Sequence, residues 1–596
     1  MRFSMLPISL PSRAFERWGT NSAVCPSRMC SWSHWTKKKK PRRRRLGRLN
    51  SPPTQRHRRR QKNRQRKRSL PTPLSWKNPR QKPPHHPLNP KLQRPLQTMT
   101  QSHHRKAEAY NRPFFDMNTK NSLLSTFGVL ALLLTSCGGG SSPASTTDAQ
   151  ALGQGLKSDE LAHPAWSANA TIYEVNVRQH TPEGTFNAFA EDLPRLKELG
   201  VDILWLMPIH PIGEVNRKGG ENKNNYMVQP GSSSMGSPYS VQDYYKINPD
   251  FGTEADLRAL TEAAHALDMK VILDWVANHT AFDSEWTESH LEYFLLDEAG
   301  NLQPPSGTDW WDVTQLDWEN GRESGLYDAM ADALEYWVRE FGIDGYRCDV
   351  AEKVPTDFWE KARRQLEEVN PEVFMLAEAE VPDHHDRAFD MSYGWEMHHI
   401  MNQVGRGEWS VDSLIQAVPR QTERFGADAY RMMFVTNHDE NAWNGTIEER
   451  LGANGDAMAV LSGTLMGMPL VYSGQEAGMT KRLRFFEKDT VQWGDYAKTD
   501  LYQTIYALNH ENQALWNGTH GGQPKFYAID SEVAMAWKRA AGTNEVVVAV
   551  NLGDEDAAMA LNLDDSYAAA WGGLAPSTEV LVPAHTAAVW TRNRAE

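Results

Sequence analysis

The sequence predicts an α/β protein, a (β/α)8 TIM barrel with a short insertion after the third strand and a C-terminal antiparallel β-sandwich. Three observations predict it. Eight apolar, strand-like runs alternate with helix-like segments between residues 166 and 515. Repeated strand–helix units of that number close into a parallel barrel. Four of the runs end in acid, amide or imidazole side chains, and barrel enzymes carry their chemistry at the carboxyl ends of strands. Beyond about residue 516 the pattern changes to short alternating strands with Gly and Asp turns, which reads as an antiparallel β-domain.

In chain order the strand candidates are 171–179, 202–209, 270–276, 345–350, 373–380, 389–393, 431–438 and 469–476. Amphipathic helices fill several gaps. Leu257, Leu260, Ala264 and Leu267 form one apolar stripe, and Leu326, Met330, Trp337 and Phe341 another. Gly200 and Gly342 mark helix ends before strands. The barrel is therefore expected in two parts, 166–280 and 323–515. Between them, 281–322 lacks a helix of normal length and is rich in aromatics, including Trp286, Tyr293, Phe294, Trp310, Trp311 and Trp318. The C-terminal β-domain spans 516–596, with strands expected at 533–538 and 545–551. Residues 220–235 read as a polar, Ser/Gly-rich insertion and a candidate lid.

Charge divides the chain. Residues 1–116 hold 30 Lys+Arg and 3 Asp+Glu, a formal charge of +27, and the other 480 residues carry −38. The basic segment has no apolar periodicity and is expected to be disordered. A nucleic-acid arm is one reading of it. The preferred reading is an extension upstream of a true start at Met117, with no nucleic-acid partner. From Met117 the chain reads as an export signal. Lys120 is followed by a mostly apolar stretch over 123–134, shorter than the ~20 residues of a membrane-spanning helix and suited to a signal h-region. The stretch ends in Leu134-Thr135-Ser136-Cys137. Residues 117–137 are thus expected to be a signal, and 138–165 a flexible tether. Of the four cysteines, only Cys137 and Cys348 would remain after processing, so no intramolecular disulfide is expected.

The chemistry lies in four segments. Gly345-Tyr346-Arg347-Cys348-Asp349 places an arginine and a carboxylate two residues apart, on one face of a strand. The arginine is expected to keep Asp349 ionised by lowering its pKa. Val373-Phe374-Met375-Leu376-Ala377-Glu378 ends in an acid among apolar neighbours that supply no cation, so its pKa is expected to stay high. The other two are Val271-Ile272-Leu273-Asp274-Trp275-Val276-Ala277-Asn278-His279 and Phe434-Val435-Thr436-Asn437-His438-Asp439.

In this order the four segments resemble the signature regions of the α-amylase family, glycoside hydrolase family 13, over residues 166–596. The resemblance implies Asp349 as nucleophile, Glu378 as general acid/base and Asp439 as the third carboxylate, holding sugar hydroxyls. Arg347, His279 and His438 would contact substrate, and Tyr239, in Gly236-Ser237-Pro238-Tyr239-Ser240, would stack under the sugar. Asp274 would orient the arginine. Gly474-Gln475-Glu476 matches the family's eighth strand end without a clear chemical role. The insertion at 281–322 would be the family's domain B. Trp310, Trp311, Trp318 and Trp443 are candidates for sugar platforms or for core. The tetrapeptide ending at Cys137 resembles a bacterial lipobox, which implies an exported protein, lipid-anchored to the cell envelope.

There are departures from the family. Three and four residues after the nucleophile stand Glu352 and Lys353, where many members have Lys and His. Gln315 stands where a calcium-binding aspartate is usual. Of the calcium set only Asn278 survives, so no cofactor is expected and calcium is in doubt. The reading is a retaining glycosidase acting on α-glucosidic bonds, α-1,4 first, in maltooligosaccharides or starch fragments. A transglycosylase or glucoside isomerase on the same site, and a non-catalytic glucan-binding lipoprotein, are the alternatives left open.

Overall fold

The computed structural model describes residues 161–219 and 234–593. The basic extension, the signal, Cys137 and nearly all of the 220–235 insertion lie outside the described residues.

Eight parallel strands close a barrel: Ile172–Val175, Ile203–Leu206, Lys270–Val276, Gly345–Asp349, Phe374–Ala377, Met391–Tyr393, Tyr430–Met433 and Met468–Tyr472, the eighth pairing with the first. All eight predicted runs supply a strand. Several stop short of their predicted ends, and 171–179 turns into the short helix Val177–His180. The reason is local. At the mouth, backbone N–H groups leave the ladder and donate to side chains instead: Tyr472 to Gln475 Oε1, Gly474 to Glu476 Oε2 and Glu440 to Asn437 Oδ1. Polar residues that read as strand ends are loop residues that cap them.

Period-two alternation assigns each strand residue to a layer. Tyr173, Val175, Val271, Leu273, Tyr346, Met375 and Val471 face out, into the core shared with the helices. Ile172, Ile203, Ile272, Phe374, Met391, Tyr430 and Met468 face in and close the barrel below. Gly345 opens the fourth strand because a Cβ there would lie 1.8 Å from the carbonyl oxygen of Phe374. Among the surrounding helices, Glu254–His265 begins with a Thr253–Asp256 capping box, and Leu326–Phe341 ends at left-handed Gly342.

At the bottom, Asp390 is fully buried and fully partnered. Arg363 Nη1 lies 2.6 Å from one oxygen, Met375 N–H donates to the same oxygen at 2.8 Å, and His163 Nδ1 lies 2.9 Å from the other. His163 also stacks on Tyr430. The expected tether to residue 165 is corrected here, because the chain is docked on the barrel from His163.

After the third strand, His279–Ala281 pairs antiparallel with Val313–Gln315, and a short helix, Glu285–Ser289, lies between them. The C-terminal region has a five-stranded antiparallel sheet and a separate two-stranded sheet, Ala557–Ala560 with Glu579–Val582. Ala536, Val547 and Trp590 of the first pack with Met559, Val580 and Val582 of the second, as in a sandwich. Trp537, on the other face of the large sheet, joins the barrel–helix core. Among the described residues no helix is long and apolar enough to cross a membrane.

Candidate active site

Strand register builds the site. Asp274 of the third strand sits opposite Arg347 of the fourth, two residues short of Asp349. The Arg347 guanidinium is completely buried. Its Nη1 donates to Asp274 Oδ1 at 2.8 Å and to Asp349 Oδ1 at 3.0 Å. Its Nη2 lies 2.7 Å from Glu378 Oε2, an ion pair without hydrogen-bond alignment. One cation thus holds three carboxyl groups. This corrects the expectation that Glu378 lacks a cationic neighbour. The fifth strand is paired to the fourth, so its end falls beside the guanidinium.

Val350 is the other element that fixes Glu378. Its backbone is left-handed, φ 44° and ψ 41°, a region that β-branched residues rarely enter. That turn aims the Val350 N–H at Glu378 Oε2, 2.9 Å away.

Asp274 Oδ2 accepts from the Tyr239 hydroxyl at 3.0 Å and from Trp205 Nε1 at 3.1 Å. Tyr239 OH in turn lies 2.9 Å from His438 Nε2. His438 pairs with Glu174 of the first strand through Nδ1 and with Asp439 Oδ2 through Nε2, the latter at 3.3 Å. The result is a continuous belt running Glu174, His438, Tyr239, Asp274, Arg347, Asp349.

Charge balance governs the protonation. Five carboxyl groups (Glu174, Asp274, Asp349, Glu378 and Asp439) face two cations. Burial pushes Asp349 well above the ordinary carboxylate range, and the neighbouring charge of Glu378 adds to this; Arg347 pulls the other way and loses. The sequence expectation of a lowered Asp349 is therefore reversed. Desolvation also raises Glu378, as expected, although Arg347 opposes it. Asp439 differs. Burial would raise it, but His438 and Arg347 outweigh that and hold it low. Burial would likewise lower His438, yet Asp439 and Glu174 hold it well above its usual value. His279 is pushed down to about 3 by burial and by Lys218, and stays neutral.

These groups open onto a cleft of about 440 Å³ lined by Tyr239, His279, Asp349, Glu378, His438 and Asp439. Trp310 and Trp443 also line it. Trp318 is core, packed on Tyr327 and Phe358, and Trp311 lies against Lys218. Glu476 is structural, bound by Tyr173 OH and Arg195. Sequence reasoning missed Glu174, the buried Lys218–Asp312 pair at 3.0 Å, and Phe485, whose ring lies near those of Tyr239 and Trp443. None belongs to a motif. The one trace was an acid, Glu174, inside an apolar strand.

The residues do not fit a calcium ion. Calcium wants several oxygens turned toward it. Here Gln315 Nε2 donates toward Asn278 O, Asn278 Oδ1 and Leu316 O, each at 3.1 Å, so an amide already takes those oxygens. Among the described residues no cluster of three or more His, Cys, Asp or Glu could hold a metal ion.

A parallel barrel with carboxyl groups gathered at its mouth defines an enzyme scaffold of the barrel class. Residues 143–522 match the family model for the alpha-amylase catalytic domain, and the chain belongs to the alpha-amylase family. The alpha-amylase MalA of Haloarcula japonica is 28% identical over 67% of this chain, which spans only 57% of that relative's length. An alpha-1,4-glucan:maltose-1-phosphate maltosyltransferase of Cereibacter sphaeroides is 34% identical over 37% of each chain. The crystal structure of an alpha-amylase from Lactobacillus plantarum superposes with a TM-score of 0.61 at 31% identity, covering 71% of this chain and 98% of that one.

Proposed function

We propose that this protein is a retaining glycosidase that cleaves α-glucosidic bonds, α-1,4 first, in maltooligosaccharides or starch fragments. The observation that carries the reading is the single buried guanidinium that contacts both Asp349 and Glu378 at the cleft. Two carboxyls gathered on one cation suit the ~5–5.5 Å spacing of a retaining pair better than the wider gap that an inverting enzyme leaves for water. Asp349 attacks the anomeric carbon while Glu378 gives its proton to the departing glycosidic oxygen. Glu378, now a carboxylate, takes a proton from water, whose oxygen displaces Asp349. Glu378 Oε2 already receives the Val350 N–H, so the transferable proton belongs on Oε1. Asp439 stays ionised to accept sugar hydroxyls. Tyr239, His279 and His438 surround the sugar.

The test is product analysis on maltotriose, amylose, pullulan and trehalose. New reducing ends with retained anomeric configuration are expected, with short oligosaccharides rivalling amylose because Glu352 stands where many relatives place a lysine toward the leaving side. A glycosyl fluoride should partly restore the glycosylation step in Glu378→Gln but not in Asp349→Asn. Inverted product would remove the reading. The maltosyltransferase relative supports a second one, transfer to another sugar on the same site. Initial rates of transfer above those of hydrolysis on maltotriose would favour it.

We also propose export and lipid anchoring at Cys137, on the sequence pattern alone. Cys137→Ala should move the enzyme from the membrane fraction to the soluble one, and unchanged fractionation would overturn the anchor.

A further inference from the structure

Glu174 is a buried carboxyl that the reaction above does not use. It sits on the first strand, faces inward and has no exposed surface. Its hydrogen-bond partner is His438 Nδ1, from the loop that follows the seventh strand, and Glu174 Oε2 has no partner among the described residues. An acid placed so deep with an oxygen unsatisfied is costly. The apolar layer directly below shows that the barrel could be filled otherwise.

Counting protons gives its role. Asp274 accepts from Arg347 at one oxygen and from Trp205 at the other, so it is an acceptor, and the single Tyr239 proton is spent on it. The Tyr239 oxygen must then receive from His438 Nε2. Asp439 Oδ2, near the same nitrogen, demands the same. The tautomer with a bare Nε2 would set a lone pair against a hydroxyl oxygen and a carboxylate. A carboxyl group at Nδ1 is compatible with Nε2–H in both of its protonation states. As a carboxylate it accepts from an imidazolium, and as an acid it donates to a neutral ring already protonated at Nε2.

We propose that Glu174 is a positioning residue that fixes His438 as an Nε2–H donor directed at Tyr239, Asp439 and the bound sugar. The inference rests on the glycosidase reading for the identity of the sugar, but its own test is separable. The charged and titratable groups around the His438 ring are Glu174, Asp274, Asp439, Arg347, Glu378 and the hydroxyl of Tyr239. Burial and Arg347 disfavour the imidazolium. Glu174 and Asp439 favour it, and Glu174→Gln removes one of the two without changing shape.

The experiment measures kcat and KM across pH for wild type, Glu174→Gln, Glu174→Asp and His438→Gln, and for the double variant Glu174→Gln/His438→Gln. Glu174→Gln should lower kcat about 10–100-fold, the range for partners that orient a functional imidazole. Its basic limb should move to lower pH, because the imidazolium is lost sooner. Glu174→Asp should restore part of both. In the His438→Gln background, Glu174→Gln should add almost nothing. The 15N shifts of the His438 ring nitrogens give an answer independent of activity: Nε2 protonated in wild type up to the basic limb, and a mixed tautomer at the same pH in Glu174→Gln. An unchanged profile and unchanged 15N shifts in Glu174→Gln would overturn the proposal, as would a full additional loss in the double variant. Asp349→Asn in the same assay separates the two questions. If it stays active, the glycosidase assignment fails while the ring shifts still decide the role of Glu174.

Discussion

At the bottom of the barrel one buried carboxylate, Asp390, is met by a guanidinium, an imidazole and a backbone N–H. At the top, five carboxyls share one guanidinium and one imidazole. Burial weighs on the carboxyls at both ends, yet the pKa directions are opposite. Burial would raise Asp390, but Arg363 and His163 outweigh it and hold the carboxyl low. At the top, burial wins for Glu174, Asp274, Asp349 and Glu378. The lower site has its charges matched and serves to hold the structure. The upper site is left short of cations, and on the mechanism proposed above a carboxylate so placed gains by passing its charge to a sugar carbon or by keeping a proton to donate.

The sharpest way to break this comparison is to neutralise one acid at each end. Asp349→Asn and Glu378→Gln should cut kcat/KM by ~10²–10⁴-fold or more, with thermal stability unchanged or raised, because each relieves an undercompensated charge. Near-wild-type turnover, or a clear loss of stability in both, would remove the distinction. Asp390→Asn should do the reverse. Breaking a buried pair from one side costs about 3–5 kcal/mol, read as a lower denaturant midpoint, while kcat of the folded enzyme should hold within about twofold, no part of the reacting site being touched.

Acid titration sharpens the contrast. Asp349 is raised in the fold, so its favourable contribution is complete below the ordinary carboxylate pKa and fades as pH rises through the folded value. The Tm of Asp349→Asn minus that of wild type should therefore grow from pH 4 upward. Asp390 is lowered, so its contribution is present above the ordinary value and is lost as pH falls through the folded one. The deficit of Asp390→Asn should shrink in acid. Parallel slopes for the two variants would refute the account.

The smallest effects lie at the junction after the third strand. Gln315→Ala strips donors from the oxygens of Asn278 and Leu316 and should cost about 1–3 kcal/mol. Chelator should leave the Tm of wild type unmoved. A drop with EDTA that calcium reverses would show a metal where the amide sits.

Much of this was legible in the chain because it is local. Strand runs and helix stripes depend on neighbours in sequence, and so the eight strands could be read; the grouping of Asp349, Glu378 and Asp439 came from the resemblance of four local segments to a family's signature regions. What failed was what closure of the barrel decides. Glu378 borrows Arg347 because the fifth strand pairs with the fourth. Glu174 meets His438 across 264 positions because closure of the barrel leaves only the eighth strand between the first and the seventh, which His438 follows. Trp310 and Trp318 are alike by composition, yet one lines the cleft and the other fills the core, since only packing separates a platform from a plug. The net direction at Asp349 also needed burial, and no dipeptide spacing reports it.

Gln315 has one more consequence. A bound ion stabilises a fold by mass action, in proportion to the logarithm of its concentration over its Kd. Its hold lapses when the surroundings are dilute in that ion. An amide tethered to the backbone has no such dependence, because it cannot diffuse away and its local concentration is set by the chain. The junction between the barrel and its insertion is thus held by a ligand that the gene itself supplies, at constant strength in any ionic medium.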